Sequence, residues 1–205
     1  MKILLVADRE ERALWGAWSE DMRQRLSDVS LILSAGDLDP AYLEFLVTML
    51  NVPLVYVRGN HDGCYDEKPP EGCISADGRI IEAAGLRIMG LGGSMRYRPG
   101  DPDMYTEAEM RRRTRPLQLR MAADSLAGRG GIDILLTHAP CRGYGDMEDI
   151  PHRGFKCFNY LLKTYRPKFH CFGHVHREYG HFKRTTDHPS GTVLVNACGY
   201  YIYEI

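Results

Sequence analysis

Pro53-Leu54-Val55-Tyr56-Val57 runs straight into Arg58-Gly59-Asn60-His61-Asp62. The first five residues, an apolar run with β-branched Val55 and Val57 around aromatic Tyr56, read as a buried strand, so the polar side chains that follow stand where a strand ends. Open α/β sheets carry their sites at that place. Asn60 offers a neutral oxygen ligand, and His61 a proton donor and acceptor near neutral pH. Gly59 between strand and ligands permits a turn tight enough to aim both at one point.

Working upstream, the same pattern recurs twice. Residues 2–7 are a continuous apolar run that stops at Asp8-Arg9-Glu10, and residues 29–35 are a second run that stops at Gly36-Asp37-Leu38-Asp39-Pro40. Asp39 before Pro40 is an N-cap with proline at the first helical position, which predicts a helix to about Leu50. Leu14, Trp15, Trp18, Met22 and Leu26 fall at helical spacing and predict an amphipathic helix over 11–26, with both tryptophans in core packing. The result is a β-α-β-α-β series, whose crossovers imply parallel pairing with helices on the sheet faces.

Downstream, residues 62–78 and 92–105 are rich in Gly, Pro and Asp and predict long surface loops. Between them, 79–83 and 86–91 predict a hairpin across Ala84-Gly85. Thr106 with Glu109 forms a capping box for a helix to about Leu126, kinked near Pro116. A strand over 132–136 ends at Thr137-His138, and Phe155, Phe158, Leu161 and Leu162 predict a helix over 155–165. A strand over 168–172 ends at Gly173-His174-Val175-His176. The tail, Tyr179 to Thr185 and Thr192 to Ile205, alternates and predicts antiparallel strands that close a sheet.

Length and composition narrow the class. A chain of 205 residues, 44% hydrophobic and 26% charged, buries a sizeable core and is expected to form one domain over 1–205. Lys and Arg (26) balance Asp and Glu (27), so no global field recruits nucleic acid or an anionic membrane. Six scattered cysteines without a CxxC pair argue against a zinc ribbon or a redox motif. A disulfide framework is not expected at this size, although Cys64 and Cys73 bracket one loop. No apolar run reaches membrane-spanning length, and Lys2 to Ala7 opens directly as a strand, so a reducing cytoplasmic setting is expected.

Five strands thus end in ligand-type residues: Asp8 with Glu10, Asp37, Asn60 with His61, His138, and His174 with His176. A polar residue after one strand is usually a turn former. Five in one chain converge on one rim of a sheet. Carboxylate, amide oxygen and imidazole without thiolate suit Mn²⁺, Fe or Zn²⁺, and even with His61 set aside seven donors exceed what one tetrahedral ion uses. Two divalent ions sharing a carboxylate are therefore expected.

In these residues the chain resembles the calcineurin-like metallophosphoesterase family, whose pattern is D-x-H, G-D, G-N-H-D/E, a later lone H, and G-H-x-H. Asp8, Gly36-Asp37, Gly59-Asn60-His61-Asp62, His138 and Gly173-His174-Val175-His176 match it in order, and residues 166–174 also resemble its small phosphodiesterase branch. The resemblance implies an α/β fold, a four-layer α-β-β-α sandwich of two mixed sheets, with the metal site at the carboxyl ends of the strands. It implies that Asp37 bridges two metals, that Asp8 and His176 complete one site, and that Asn60, His138 and His174 complete the other. His61 is then the catalytic residue that faces the leaving group, and the substrate a small or nucleotide-like phosphodiester.

Glu10 departs from the pattern, standing where the family has the histidine of D-x-H. As a ligand it would make a harder, more anionic site, which puts Mn²⁺ first, with Fe, Zn²⁺ or Mg²⁺ as alternatives. The departure also keeps open a binding scaffold of the same fold without turnover. The G-D-x-x-D-R-G extension of protein phosphatases is absent, as Gly36-Asp37-Leu38-Asp39-Pro40 shows.

Other candidates follow from position. His152 and Arg153 lie in a loop expected to overhang the rim and are candidates to meet a phosphate. Asp62 reads as a turn or supporting residue, and His170, His181 and His188 read as packing residues. Arg111, Arg112, Arg113 and Arg115 are expected to form a solvated helix face partly balanced by Glu107 and Glu109. Nucleic-acid binding through them is the lesser reading. Oligomeric state is left open by the sequence.

Overall fold

The computed structural model describes residues 1–180 and 182–205, so the reading of His181 as a packing residue lies outside the described residues. In chain order the first half forms β1 (Lys2–Ala7), α1 (Glu20–Leu26), β2 (Val29–Ser34), α2 (Pro40–Leu50), β3 (Leu54–Tyr56) and β4 (Ile74–Ser75). The second half forms β5 (Ile80–Ala83), β6 (Leu86–Leu91), β7 (Ser94–Met95), β8 (Met104–Tyr105), α3 (Glu107–Leu126), β9 (Ile134–Thr137) and α4 (Lys156–Tyr165). It closes with β10 (Phe169–Phe172), β11 (Thr185–Asp187), β12 (Val193–Asn196) and β13 (Gly199–Glu204).

Two large mixed sheets result, in the orders β13-β1-β2-β3-β4 and β11-β12-β10-β9-β6-β5, with β7 and β8 paired separately. Strands β1, β2 and β3 are parallel, and β13 returns antiparallel to β1. In the second sheet β6, β9, β10 and β12 are parallel, and the antiparallel edge strands β5 and β11 close it.

Side-chain alternation sets the layers. Ile3, Leu5 and Ala7 point with Leu31, Leu33 and Val55 toward Ile88, Ile134, Leu136, Phe169 and Val195, which forms the core between the sheets. Leu4, Val6, Ile32 and Leu54 point the other way and pack under Met22, Leu26, Tyr42, Leu43 and Leu46 of α1 and α2. On the far side Met89, Leu135 and Leu194 pack under Met110, Leu117, Met121, Phe158 and Leu161 of α3 and α4. The order is helix, sheet, sheet, helix, as the resemblance implied. A one-residue slip of β1 would exchange its two faces, so the register is held by about 1.5–3 kcal/mol for each large apolar side chain misplaced.

Local chemistry accounts for the helix starts. Asp39 accepts the Ala41 amide at 2.8 Å with Pro40 in the first turn, and Thr106 and Glu109 form the reciprocal capping box. α3 runs through Pro116 as one continuous helix.

The helix predicted over 11–26 exists only from Glu20. Ser19 caps it by accepting the Met22 amide, and Gly16 upstream takes φ +108°, which no helix accommodates. The preceding turns are held by the Trp18 indole, which donates to the Leu14 carbonyl at 2.9 Å, while Trp15 stacks on Tyr42. Trp15 is 41% exposed, so it is not the core residue its spacing suggested. In the tail the strand begins only at Thr185, after a single short turn over Arg177–Tyr179.

His170 and His188 are packing residues, as read. His170 is fully buried on β10, where its Nε2–H donates to Thr137 Oγ1 at 2.7 Å, since that hydroxyl already donates to the Ala139 carbonyl. Burial, with the charge of His188, pushes its pKa down from 6.5 to about 3. The unfolded chain therefore binds a proton below about pH 6.5 that the folded chain refuses, so this contribution is complete above that pH and is lost as pH falls toward 3. We expect His170→Gln, which removes the titration, to flatten the acid limb of the stability curve between pH 6.5 and 4 by up to about 1.4 kcal/mol per pH unit. Urea unfolding of both proteins across that range measures it.

Candidate metal centre

The strand ends of the two sheets meet along one edge, and short hydrogen bonds stitch them together. The Asp8 amide donates to the Gly36 carbonyl at 3.0 Å, joining the ends of β1 and β2. Gly173 donates to the His138 carbonyl at 2.9 Å, joining β10 and β9, and Gly93 donates to Arg58 at 2.8 Å, joining β6 and β3. Across the sheets, the His174 amide donates to both oxygens of Asp8, at 2.8 and 2.9 Å. His138 Nδ1 donates to the Ala35 carbonyl at 2.7 Å.

Three of the residues so held depart from ordinary backbone geometry. Asp8, Asp37 and His174 have φ of +61°, +58° and +69°, a conformation sparsely used by residues other than glycine. Each costs on the order of 1–3 kcal/mol and persists only where surrounding contacts over-determine it. Gly59 is required for a related reason: a Cβ there would lie 1.9 Å from Asp37 Oδ1. Asp62, read from sequence as a turn or support, supplies the clamp. Its buried carboxylate accepts the Asp37 amide at 2.9 Å and the Gly59 amide at 2.7 Å, tying the loops after β2 and β3 together.

The hydrogen bonds leave four acceptors facing inward. Because His138 donates through Nδ1 to Ala35, its Nε2 faces the centre, and because His174 donates through Nε2 to the Pro151 carbonyl at 2.8 Å, its Nδ1 does too. Asn60 donates through Nδ2 to the Tyr97 hydroxyl at 3.4 Å, which turns Oδ1 inward. His138 Nε2 then lies 3.0 Å from His174 Nδ1, 3.1 Å from Asn60 Oδ1 and 3.4 Å from Asp37 Oδ2. Single ligand atoms of Asp37, His138 and His174 all fall within 4.8 Å of one another.

Four acceptors at such distances repel unless a positive charge lies among them. In the protein alone that charge is a proton on His138: burial disfavours it, but the charge and hydrogen bond of Asp37 and the charge of Asp8 prevail and raise its pKa to about 9. In turn, Asp37 is held below the usual carboxylate range by His138, against the effect of burial. Burial and the charge of His138 push His174 down to about 3, so it stays a neutral acceptor, while burial lifts Asp8 to about 7. Once His138 gives up that proton, two imidazole nitrogens, an amide oxygen and a carboxylate, each anchored from behind, fit a divalent cation.

The other expected site residues divide. Asp8 is fully shielded and His176 partly exposed, with His176 Nε2 3.9 Å from Asp8 Oδ1, so His176 lies between buried Asp8 and the cleft it lines. Exposed His61 donates its amide to Asp37 Oδ1 at 2.8 Å and lines a cleft of about 200 Å³ with Asp37, Asn60, His152, His174 and His176. Within that cleft, His152 Nδ1 lies 2.6 Å from Asp149 Oδ2, and its ring packs 4.5 Å from that of Tyr179.

Two of the expected site residues make other contacts in the structure. Glu10 is exposed and accepts the Asp39 amide at 3.1 Å, at the start of α2. Arg153 donates to the Glu148 carbonyl at 2.7 Å, which holds its own loop together, and it does not line the cleft. Tyr97 and Tyr179 line the cleft and were missed, because single tyrosines in loops have no spacing signal. A family model described as calcineurin-like phosphoesterase matches residues 1–178.

The chain belongs to the calcineurin-like phosphoesterase family. Among curated proteins, UPF0046 protein T07D4.2 of Caenorhabditis elegans is 43% identical over 70 residues, 33% of this chain and 16% of that protein. UPF0046 protein C25E10.12 of the same organism is 38% identical over 55 residues, 24% of this chain and 20% of that protein, so the matches span a fifth or less of these relatives. The crystal structure of TT1561 of Thermus thermophilus aligns over 97% of this chain and 89% of its own at a TM-score of 0.63 and 16% identity, a likeness of fold.

The Asp62 clamp makes a measurable demand. Asp62→Ala releases the Asp37 and Gly59 amides, and we expect Mn²⁺ affinity to fall about 10- to 100-fold, the usual cost of losing a group that orients ligands. Calorimetric titration of both proteins measures it; equal affinities would remove Asp62 from the metal centre.

Proposed function

We propose that the chain is a divalent-metal-dependent phosphoesterase, and specifically a phosphodiesterase acting on small or nucleotide-like substrates. The observation that carries this reading is the convergence of Asp37, Asn60, His138 and His174 beneath a cleft whose mouth holds His61. These four residues would hold one ion, and Asp8 and His176, together with Asp37, would hold a second. Mn²⁺ suits the mixed oxygen and nitrogen donors, with Fe, Zn²⁺ or Mg²⁺ as alternatives. When bound, such ions supply a water ionised at neutral pH and neutralise charge on the phosphoryl oxygens.

The chain's own groups do the rest. His61 stands exposed at the cleft while its backbone is fixed on Asp37, which leaves the imidazole free to give a proton to the departing alkoxide. His152, oriented by Asp149, is placed to hold a phosphoryl oxygen from the opposite loop. Tyr97 keeps the Asn60 amide from flipping. Six free cysteines support a reducing, cytoplasmic setting. No helix among the described residues is long and apolar enough to cross a membrane.

One observation favours a second reading, a metal-holding scaffold without turnover: Glu10 stands at the family's histidine position and is engaged with Asp39 instead. Hydrolysis of bis-p-nitrophenyl phosphate separates the two. We expect Mn²⁺-dependent turnover that chelation abolishes and Mn²⁺ restores, with kcat in His61→Ala lower by about 10²- to 10⁴-fold. A wild-type protein that binds Mn²⁺ yet hydrolyses neither this diester nor p-nitrophenyl phosphate is the scaffold.

A further inference from the structure

The arginine cluster at the start of α3 divides in the structure, and the division exposes an unassigned site. Arg113 turns inward, pairs with Asp77 at 2.6 Å, donates to the Gly92 carbonyl and lies over the Tyr105 ring. Arg111 and Arg115, each two residues from it along the chain, stay exposed and line a groove between α3 and α4 with Thr114, Gln118, Lys156 and Tyr160.

The acids expected to balance these arginines have other partners, although Glu107 keeps its charge at the groove's edge beside Cys157. Glu109 is taken by the Thr106 cap and by Arg96 at 3.0 Å. Glu107 accepts the backbone amides of Lys156 and Cys157 at 2.9 and 2.8 Å, which closes the start of α4. Among the described residues, Arg111, Arg115 and Lys156 pair with no carboxylate. Three cations therefore rim one groove of about 300 Å³, at the lower end of small-molecule sites.

The shape specifies the ligand further. Tyr160, 55% exposed, forms one wall, and an exposed aromatic ring is a stacking surface for a planar group. Two arginines one helical turn apart with a lysine opposite match a dianion, and a phosphomonoester carries about −1.5 to −2 at pH 7. We propose that the groove between α3 and α4 binds a small phosphomonoester bearing a planar ring, the chemistry of a nucleoside monophosphate. This site lies outside the metal cleft and shares no lining residue with it. The proposal does not rest on the phosphodiesterase reading.

Adenosine 5′-monophosphate, inorganic phosphate and adenosine, each titrated calorimetrically into the Mn²⁺-loaded full chain, test it, with hydrogen exchange to locate binding. We expect the monophosphate to protect residues 111–118 and 156–160. Arg111→Ala with Arg115→Ala is expected to weaken it about 100-fold, near tenfold for each charge-assisted hydrogen bond removed. Lys156→Gln is expected to weaken it about tenfold, an independent check should the double variant fold poorly. Tyr160→Ser is expected to lower affinity for the monophosphate and leave that for inorganic phosphate unchanged. Protection confined to the metal cleft, or wild-type affinity in both charge variants, would overturn the site; equal affinity for the monophosphate and inorganic phosphate would overturn the assignment of its ring.

Discussion

A single hydrogen bond across the two sheets, from His138 Nδ1 to the Ala35 carbonyl at 2.7 Å, organises the functional edge. It joins the end of β9 to the end of β2, so it registers one sheet against the other where the apolar core no longer does. It also orients the ring: with Nδ1 committed, Nε2 faces Asp37, Asn60 and His174 and carries the proton that a cation would displace. His174, committed through Nε2 to the Pro151 carbonyl, completes the arrangement from the second sheet. The fold thus selects imidazole lone pairs by occupying their opposite faces.

The centre is assembled against opposing costs. Asp8, Asp37 and His174 carry unfavourable backbone angles, Asp8 and His138 are desolvated, and four acceptors crowd one point. None of these would be stable alone. The Asp62 carboxylate and the paired Asp8–His174 contact offset the backbone cost, and the proton on His138 offsets the charge. Stability spent in this way is common at sites that must present charge without water. A divalent cation would replace that proton and satisfy all four acceptors at once.

Much of the architecture was legible in the residues because β1, β2 and β3 are short, mostly apolar runs bounded by turn residues, too short for buried helices and rich in β-branched side chains. Ligand-type residues at successive strand ends were legible for the same reason, since position relative to a strand is readable even when contacts are not. What was less legible depended on competition between neighbours. Leu14, Trp15 and Trp18 have helical spacing, yet Ser19 caps the helix later and Gly16 breaks it earlier. Glu10 has the charge of a ligand, but the Asp39 amide at the start of α2 is within its reach. Arg153 likewise serves its own loop. Asp62 was undervalued because its role is to receive two amides from different loops, a relation without sequence periodicity.

Where a metal settles decides whether these inward-facing acceptors are a binding centre. Anomalous diffraction at the manganese edge, from crystals grown with Mn²⁺, places it directly. The expected peak is coordinated by Asp37, Asn60, His138 and His174, with Glu10 outside its ligand sphere. A fully occupied peak elsewhere, or none among these four residues at saturating Mn²⁺, would contradict it.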